Sequence, residues 1–398
     1  MISFSCRKIF IQCFLLVFLC VVLISCTRKS ETDLESPQTI RIGMIITTGE
    51  ERMEKTEYSV FDMVSSRIKD AGGIEVDGKK LPLKIVLRKI DGRVPEQAVR
   101  AVKELINQES VVAIVGPSFS QDAIPAGEVA EQSGIPLIAP VSIHPDTTAH
   151  RKYVFRAAFL DEFQAQSMAR FCLRDIGVKR AAVFYNTANP YSRVLAEMFR
   201  DTVNREGGKV LSFESYITGE TDFTAQLGRI REGSPEVLYL PNYFDEAAPI
   251  ALEAREMGID AIFLGVASWD MEKAKKMSLF EGAYIVDYVS LEVMKGESRA
   301  FVEEYISRYH RYPQSGTILT YDSFGILFAA IRHARSSKPD AIRGALYDLG
   351  PYEGVAGKID FSDSGDPERE AVIVRFVNGE LRFQKRIQPR GLVGETGS

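Results

Sequence analysis

The chain has 398 residues, 45% of them apolar, and a formal charge of −5 at pH 7. That length and apolar content support two domains of ordinary size, each with its own core. The mild acidity argues against a nucleic-acid surface, for which a basic excess is expected.

Arg7 and Lys8 precede an apolar run from Ile9 to Ile24 that ends Leu23-Ile24-Ser25-Cys26. This order of charge, apolar stretch, small residue and cysteine reads as a lipoprotein signal. Residues 1–25 are then removed, Cys26 carries the lipid, and the polar residues 26–38 form a tether. A retained signal-anchor helix is the alternative, because the run approaches the roughly 17–25 residues that span hydrocarbon. Acyl chains on Cys26 anchor the chain to a membrane at about 0.8 kcal/mol per buried CH₂, and the globular part becomes extracytoplasmic. Three of the five cysteines, Cys6, Cys13 and Cys20, leave with the signal. Cys172 then has no internal disulfide partner and is expected to be a small buried apolar residue.

From Thr39 onward strand and helix patterns alternate. Ile40–Ile46 reads as a buried strand, Tyr58–Asp70 as a helix stopped by Gly72-Gly73, and Leu83–Ile90 as a strand. Pro95 opens a helix with Val99, Val102, Leu105 and Ile106 on one face, and Val111–Val115 is a short apolar strand. Tyr153–Ala158 reads as a strand and Asp161–Asp175 as a helix. Strands follow at 181–185, 237–240 and 262–265, with helices at 191–206, 222–231 and 245–257, and further helices at 298–310 and 318–334. Strands separated by single helices imply parallel sheets with right-handed crossovers. The expected fold class is α/β, a doubly wound architecture that occurs twice.

Signals for catalysis are lacking. His144, His150, His310 and His333 have no metal-ligand spacing, and no nucleophile elbow, phosphate loop or dinucleotide turn follows a strand. The chain is therefore expected to be no enzyme and to hold no cofactor or metal. One turn stands out: Gly116-Pro-Ser-Phe-Ser120, at a strand end and before a helical stretch 121–133. Ligands of parallel sheets bind at such carboxyl ends, and the Ser118 and Ser120 hydroxyls beside a helix start suit an anion. Equally, both serines can be helix N-caps worth about 1 kcal/mol each. A second turn, Val141-Ser142-Ile143-His144-Pro145, can face the first across a crevice or be an ordinary Pro-rich loop.

Several segments in order carry a resemblance: Ile40-Arg-Ile-Gly43, Ala71-Gly-Gly-Ile74, Ala113-Ile-Val-Gly-Pro117, Ser133-Gly-Ile-Pro136, Tyr153-Val-Phe-Arg156, Thr221-Asp-Phe223 and Tyr321-Asp322. Over about 39–385 the chain resembles the leucine/isoleucine/valine-binding branch of the type I periplasmic binding proteins, which serve ABC importers. The resemblance implies two doubly wound lobes joined by three crossover hinge segments near 158, 287 and 355. Lobe 1 would comprise 39–158 and 288–355, and lobe 2 would comprise 159–287 and 356–390. It places a small-molecule ligand between them and an ABC permease as partner.

The resemblance also implies site residues. The carboxylate-binding serine falls on Ser120, the amine-accepting carbonyl on Val141, and the second carboxylate contact on Ser142 and Ile143. From the other lobe come Tyr191 and Tyr243. Two positions depart from the pattern. Ala267 stands where amino-acid binders carry an acid for the ligand ammonium, and Ile143 stands where a threonine is usual. An unpaired buried ammonium is costly, so the expected ligand is an aromatic or aliphatic carboxylate or an amide. Trp269 either joins Tyr191 and Tyr243 as a stacking wall or packs in the hinge-side core. The leading function is solute capture for an importer. The alternative is a lipoprotein that docks to and regulates an envelope enzyme, with which Thr27 after the lipidated cysteine is compatible, because it resembles an outer-membrane signal.

Overall fold

The structure, a computed structural model, describes residues 39–49, 51–92, 94–361 and 364–389. The signal segment 1–25, Cys26 and the tether 26–38 lie outside the described residues. Among the described residues no helix is long and apolar enough to cross a membrane.

The first sheet grows from β1 (Ile40–Thr48), buried along nearly its whole length as a central parallel strand must be. A hairpin of β2 (Ile74–Val76) and β3 (Lys79–Leu81) precedes β4 (Leu83–Asp91). With β5 (Ala113–Val115), β6 (Leu137–Ala139) and β7 (Val154–Arg156), the parallel order is β4-β1-β5-β6-β7. Helix Pro95–Asn107 turns Ala98, Ala101, Val102 and Leu105 inward. It packs so closely that a Cβ at Gly43 of β1 would lie 2.8 Å from the Leu105 side chain. The helix expected over 58–70 begins earlier, at Glu51, and runs to Ala71. Its added turns are led by Glu51 and Glu54, which complement the helix dipole and carry no apolar periodicity.

The second sheet holds β8 (Arg180–Asn186), β9 (Lys209–Tyr216), β10 (Val237–Tyr239), β11 (Ile262–Gly265) and β12 (Tyr284–Asp287). A hairpin, β13 (Tyr352–Gly354) and β14 (Gly357–Ile359), returns to the first lobe. The last strands, β15 (Ala371–Val377) and β16 (Glu380–Ile387), extend the second sheet as antiparallel neighbours in the order β16-β15-β12-β11-β10-β8-β9. Asn378 and Gly379 join them with φ of 54° and 72°, the backbone that an Asn-Gly hairpin turn needs.

Helix Asp161–Phe171 widens into a π turn over Cys172–Ile176 before Gly177 ends it at φ 82°. Cys172 is buried and unbonded to another cysteine, and burial pushes its thiol well above the ordinary range.

The two sheets carry separate cores, and three crossings join them. After β7 the chain passes Phe159, and after β12 it passes Tyr288; these rings stack with centroids 4.1 Å apart. The third crossing comes later than 355, because Ile359 and Phe361 still pack in the first core and Asp322 accepts hydrogen bonds from the Val355 and Ala356 amides. Arg369, on that third crossing, donates to the Ala157 carbonyl at 2.6 Å and the Ala356 carbonyl at 2.9 Å, and stands 3.8 Å from Asp322. Arg156, fully buried, pairs with Asp366 at 2.5 Å.

Burial pushes the Asp161 carboxyl up to about 7, and those of Asp287 and Asp322 up to about 6, from an ordinary 3.8. A carboxyl whose folded pKa lies above its unfolded one keeps a proton in the folded chain where the unfolded chain has lost it. Its contribution is therefore greatest below the unfolded value and declines as pH rises through the folded one. The melting temperature is expected to fall between pH 5 and pH 7.5, and Asp161→Asn to flatten that fall, as differential scanning calorimetry across the range would show.

Candidate functional site

The carboxyl ends of β5 and β6 and those of β8, β10 and β11 face one another across the interlobe space. From the first lobe, Ser118, Phe119, Ser120, Val141 and Ile143 reach a pocket, and from the second, Tyr191, Tyr243 and Ala267. Seven of the nine residues singled out in the sequence thus line one cavity; Ser142 and Trp269 do not.

The first-lobe side is a hydroxyl relay. Phe119 is the N-cap of helix Ser120–Ser133 and makes no side-chain cap, so neither serine is used for capping. Ser118 donates instead to Glu57 Oε1 at 2.6 Å, and Glu57 Oε2 accepts from the Thr47 amide at 2.5 Å. Ser142 Oγ donates to Ser120 Oγ at 2.9 Å and lies 2.7 Å from Thr147 Oγ1. A hydroxyl has one proton to give, so Thr147 donates to Ser142 and the Ser120 proton remains for the cavity. The loop that carries Ser142 is fixed from behind: the Arg156 guanidinium donates to the carbonyls of Ser142 at 3.4 Å and Pro145 at 3.3 Å.

The second-lobe side is aromatic. Tyr191, at the start of helix Pro190–Arg205, and Tyr243, at the N-cap of helix Phe244–Glu256, stack with centroids 5.3 Å apart and planes 6° from parallel. Tyr191 Oη donates to Ser268 Oγ at 3.2 Å. Phe119 crosses the gap to meet Tyr243 edge-on at 5.5 Å, so the lobes touch ring to ring. This leaves a cavity of about 40 Å³, room for about one water molecule.

The stacking wall expected of Trp269 is not there. The indole is fully buried in the second core, 4.9 Å from Phe280 and 6.1 Å from Phe244. The chain turns after β11 so that the ring lies against Gly265, where a Cβ would approach it to 2.7 Å. The sequence reading missed Phe119, Met53, Ser268, Tyr288, Ser315 and Gly316 on the cavity wall. Phe119 was signalled by its place between two serines at a strand end. Tyr288 comes from the second crossing, Ser315 and Gly316 from the start of helix Ser315–Ala334, and no local motif marks them.

A family model described as periplasmic binding protein matches residues 39–380. An amino acid binding protein of Pseudomonas aeruginosa is 28% identical over 303 residues, 75% of this chain and 79% of its own length. The crystal structure of a leucine binding protein, LivK, from Thermotoga maritima superposes with a TM-score of 0.79 at 27% identity, covering 89% of this chain and 99% of that one. A solute binding protein of an ABC transporter from Rhodopseudomonas palustris, in complex with 3,4-dihydroxybenzoic acid, superposes with a TM-score of 0.75 at 19% identity, covering 88% and 97%.

Because Trp269 packs in the second core and not against the cavity, Trp269→Ala should cost about 3–5 kcal/mol of stability without weakening ligand binding by the folded fraction. Urea unfolding and calorimetry on the same preparation test both halves.

Proposed function

This chain belongs to the periplasmic binding protein family, and from that premise we propose that it captures a small carboxylate-bearing molecule between its lobes for an ABC importer, tethered to a membrane by lipid on Cys26. The observation that carries the reading is the Ser120 hydroxyl. It accepts from Ser142, sits at the start of helix Ser120–Ser133, and faces the ring pair across the cavity. A carboxylate oxygen in that position takes the Ser120 proton, and the positive end of the helix dipole favours the charge. Entry and exit then require the lobes to part about the three crossings, a hinge motion that separates Phe119 from Tyr243.

The relatives are named for amino acids and the structural neighbours for leucine or an aromatic acid, and all these ligands share a carboxyl group. Ala267, which the family resemblance puts where an acid would pair an α-ammonium, lines the cavity. That arrangement supports a carboxylate without an α-ammonium over a standard amino acid.

One observation favours a second reading, in which the chain docks to and regulates an envelope enzyme: its own rings leave the inner cavity so narrow. Against it, only four large apolar side chains among the described residues are exposed, Val94, Ile217, Leu252 and Tyr312, where a docking surface calls for a contiguous apolar patch.

Ser120→Ala should weaken carboxylate binding by about 1.5–3 kcal/mol, roughly ten- to a hundredfold, in titrations with benzoate and hexanoate. Micromolar affinity for leucine or valine would refute the absence of an ammonium partner. The mature protein should begin at Cys26 and incorporate labelled palmitate, and Cys26→Ser should abolish that labelling; an intact N-terminus with no label in the unaltered protein would instead support an uncleaved anchor.

A further inference from the structure

The space between the lobes continues past the ring contact. Phe119 and Tyr243 line the inner cavity on one side and, on the other, an outer chamber of about 430 Å³, a size typical of small-molecule sites. Its charged lining is lopsided: the carboxylates of Asp245, Glu246 and Asp270 stand against the single ammonium of Lys273. Lys273 is already engaged, with Nζ 3.0 Å from Asp245 Oδ1 and 4.0 Å from Asp270 Oδ2. Glu246 is held in place by Asn186, whose Nδ2 donates to its Oε1 at 2.8 Å and to Thr218 Oγ1 at 2.8 Å. The inner cavity has the opposite character. It offers hydroxyls and Ala267, with no carboxylate among its lining residues.

Resting on the carboxylate-capture reading above, we propose that the two compartments form one elongated site for an ω-amino or ω-guanidino carboxylate. The carboxylate lies at Ser120, the edge-on contact of Phe119 with Tyr243 opens to admit an apolar spacer, and the cationic tail enters the outer chamber. An α-amino acid would put its ammonium against Ala267, where nothing balances it. A tail several methylenes long carries the same charge to the carboxylates of the chamber, where a partly desolvated cation finds partners. Faces of Tyr243 and Phe119 beside the path further suit a passing cation.

Calorimetry on the full chain with 6-aminohexanoate, hexanoate, adipate and leucine tests this. The expected result is that 6-aminohexanoate binds at least tenfold tighter than hexanoate, that added salt narrows the margin, and that Asp245→Asn and Glu246→Gln each shrink it. Because the ligand series needs only the unaltered protein, the outcome does not depend on either variant folding. If hexanoate binds as tightly as 6-aminohexanoate, or if leucine binds more tightly than either, the elongated site is wrong while carboxylate capture stands. Tighter binding of adipate would make Lys273 the tail's partner and overturn the charge assignment. If none of the four binds, both this inference and the reading beneath it fall.

Discussion

A buried guanidinium is tolerated only where its donors are used and its charge is answered, and that constraint organises the hinge. Arg369 lies on the third crossing, donates to Ala157 on the first and to Ala356 ahead of the third, and stands beside Asp322 in helix Ser315–Ala334. Arg156, at the end of β7, grips Asp366 and the carbonyls behind Ser142. Neither cation can move independently of the crossings without losing its partners. The crossings therefore act as one joint, and the serine relay is set by the same residues that define the axis.

The relay illustrates how the hinge reaches the site. Thr147, Ser142 and Ser120 lie in series, with the loop beneath them pinned by Arg156. With Ser142 donating to it, the Ser120 hydroxyl keeps its own proton to give. Across the gap stand the stacked rings of Tyr191 and Tyr243, so the first lobe lines the cavity largely with hydroxyls and the second largely with aromatic faces.

Much of this was legible in the sequence because strand-helix alternation is periodic and local. Ile40–Ile46, Leu83–Ile90 and the helix from Pro95 fall within a residue or two of their observed bounds. The antiparallel pair β15 and β16 is not apparent from the sequence, although Val377-Asn378-Gly379-Glu380 carries a hairpin turn, because the 83 residues 288–370, with three helices and a hairpin, separate it from β12. Ser118 stands out through its turn at a strand end, and Ser120, Val141, Ile143, Tyr191, Tyr243 and Ala267 through resemblance to a family pattern; all seven line one cavity. Trp269 was not separable in that way: a tryptophan two residues past a cavity residue can point to either side of its strand end, and only the close approach to Gly265 decides. Glu57 and Phe119 depend on contacts between segments more than sixty residues apart, which no local window contains.

The placement of that tryptophan has an optical consequence. It is the single indole in the chain, sealed among phenylalanines in the second lobe, so its emission belongs to a dry setting and reports on that lobe alone. The first lobe contributes no signal at those wavelengths. Comparing the loss of tryptophan emission with the loss of far-ultraviolet dichroism during unfolding thus reveals whether the two lobes melt as a single cooperative unit or one after the other.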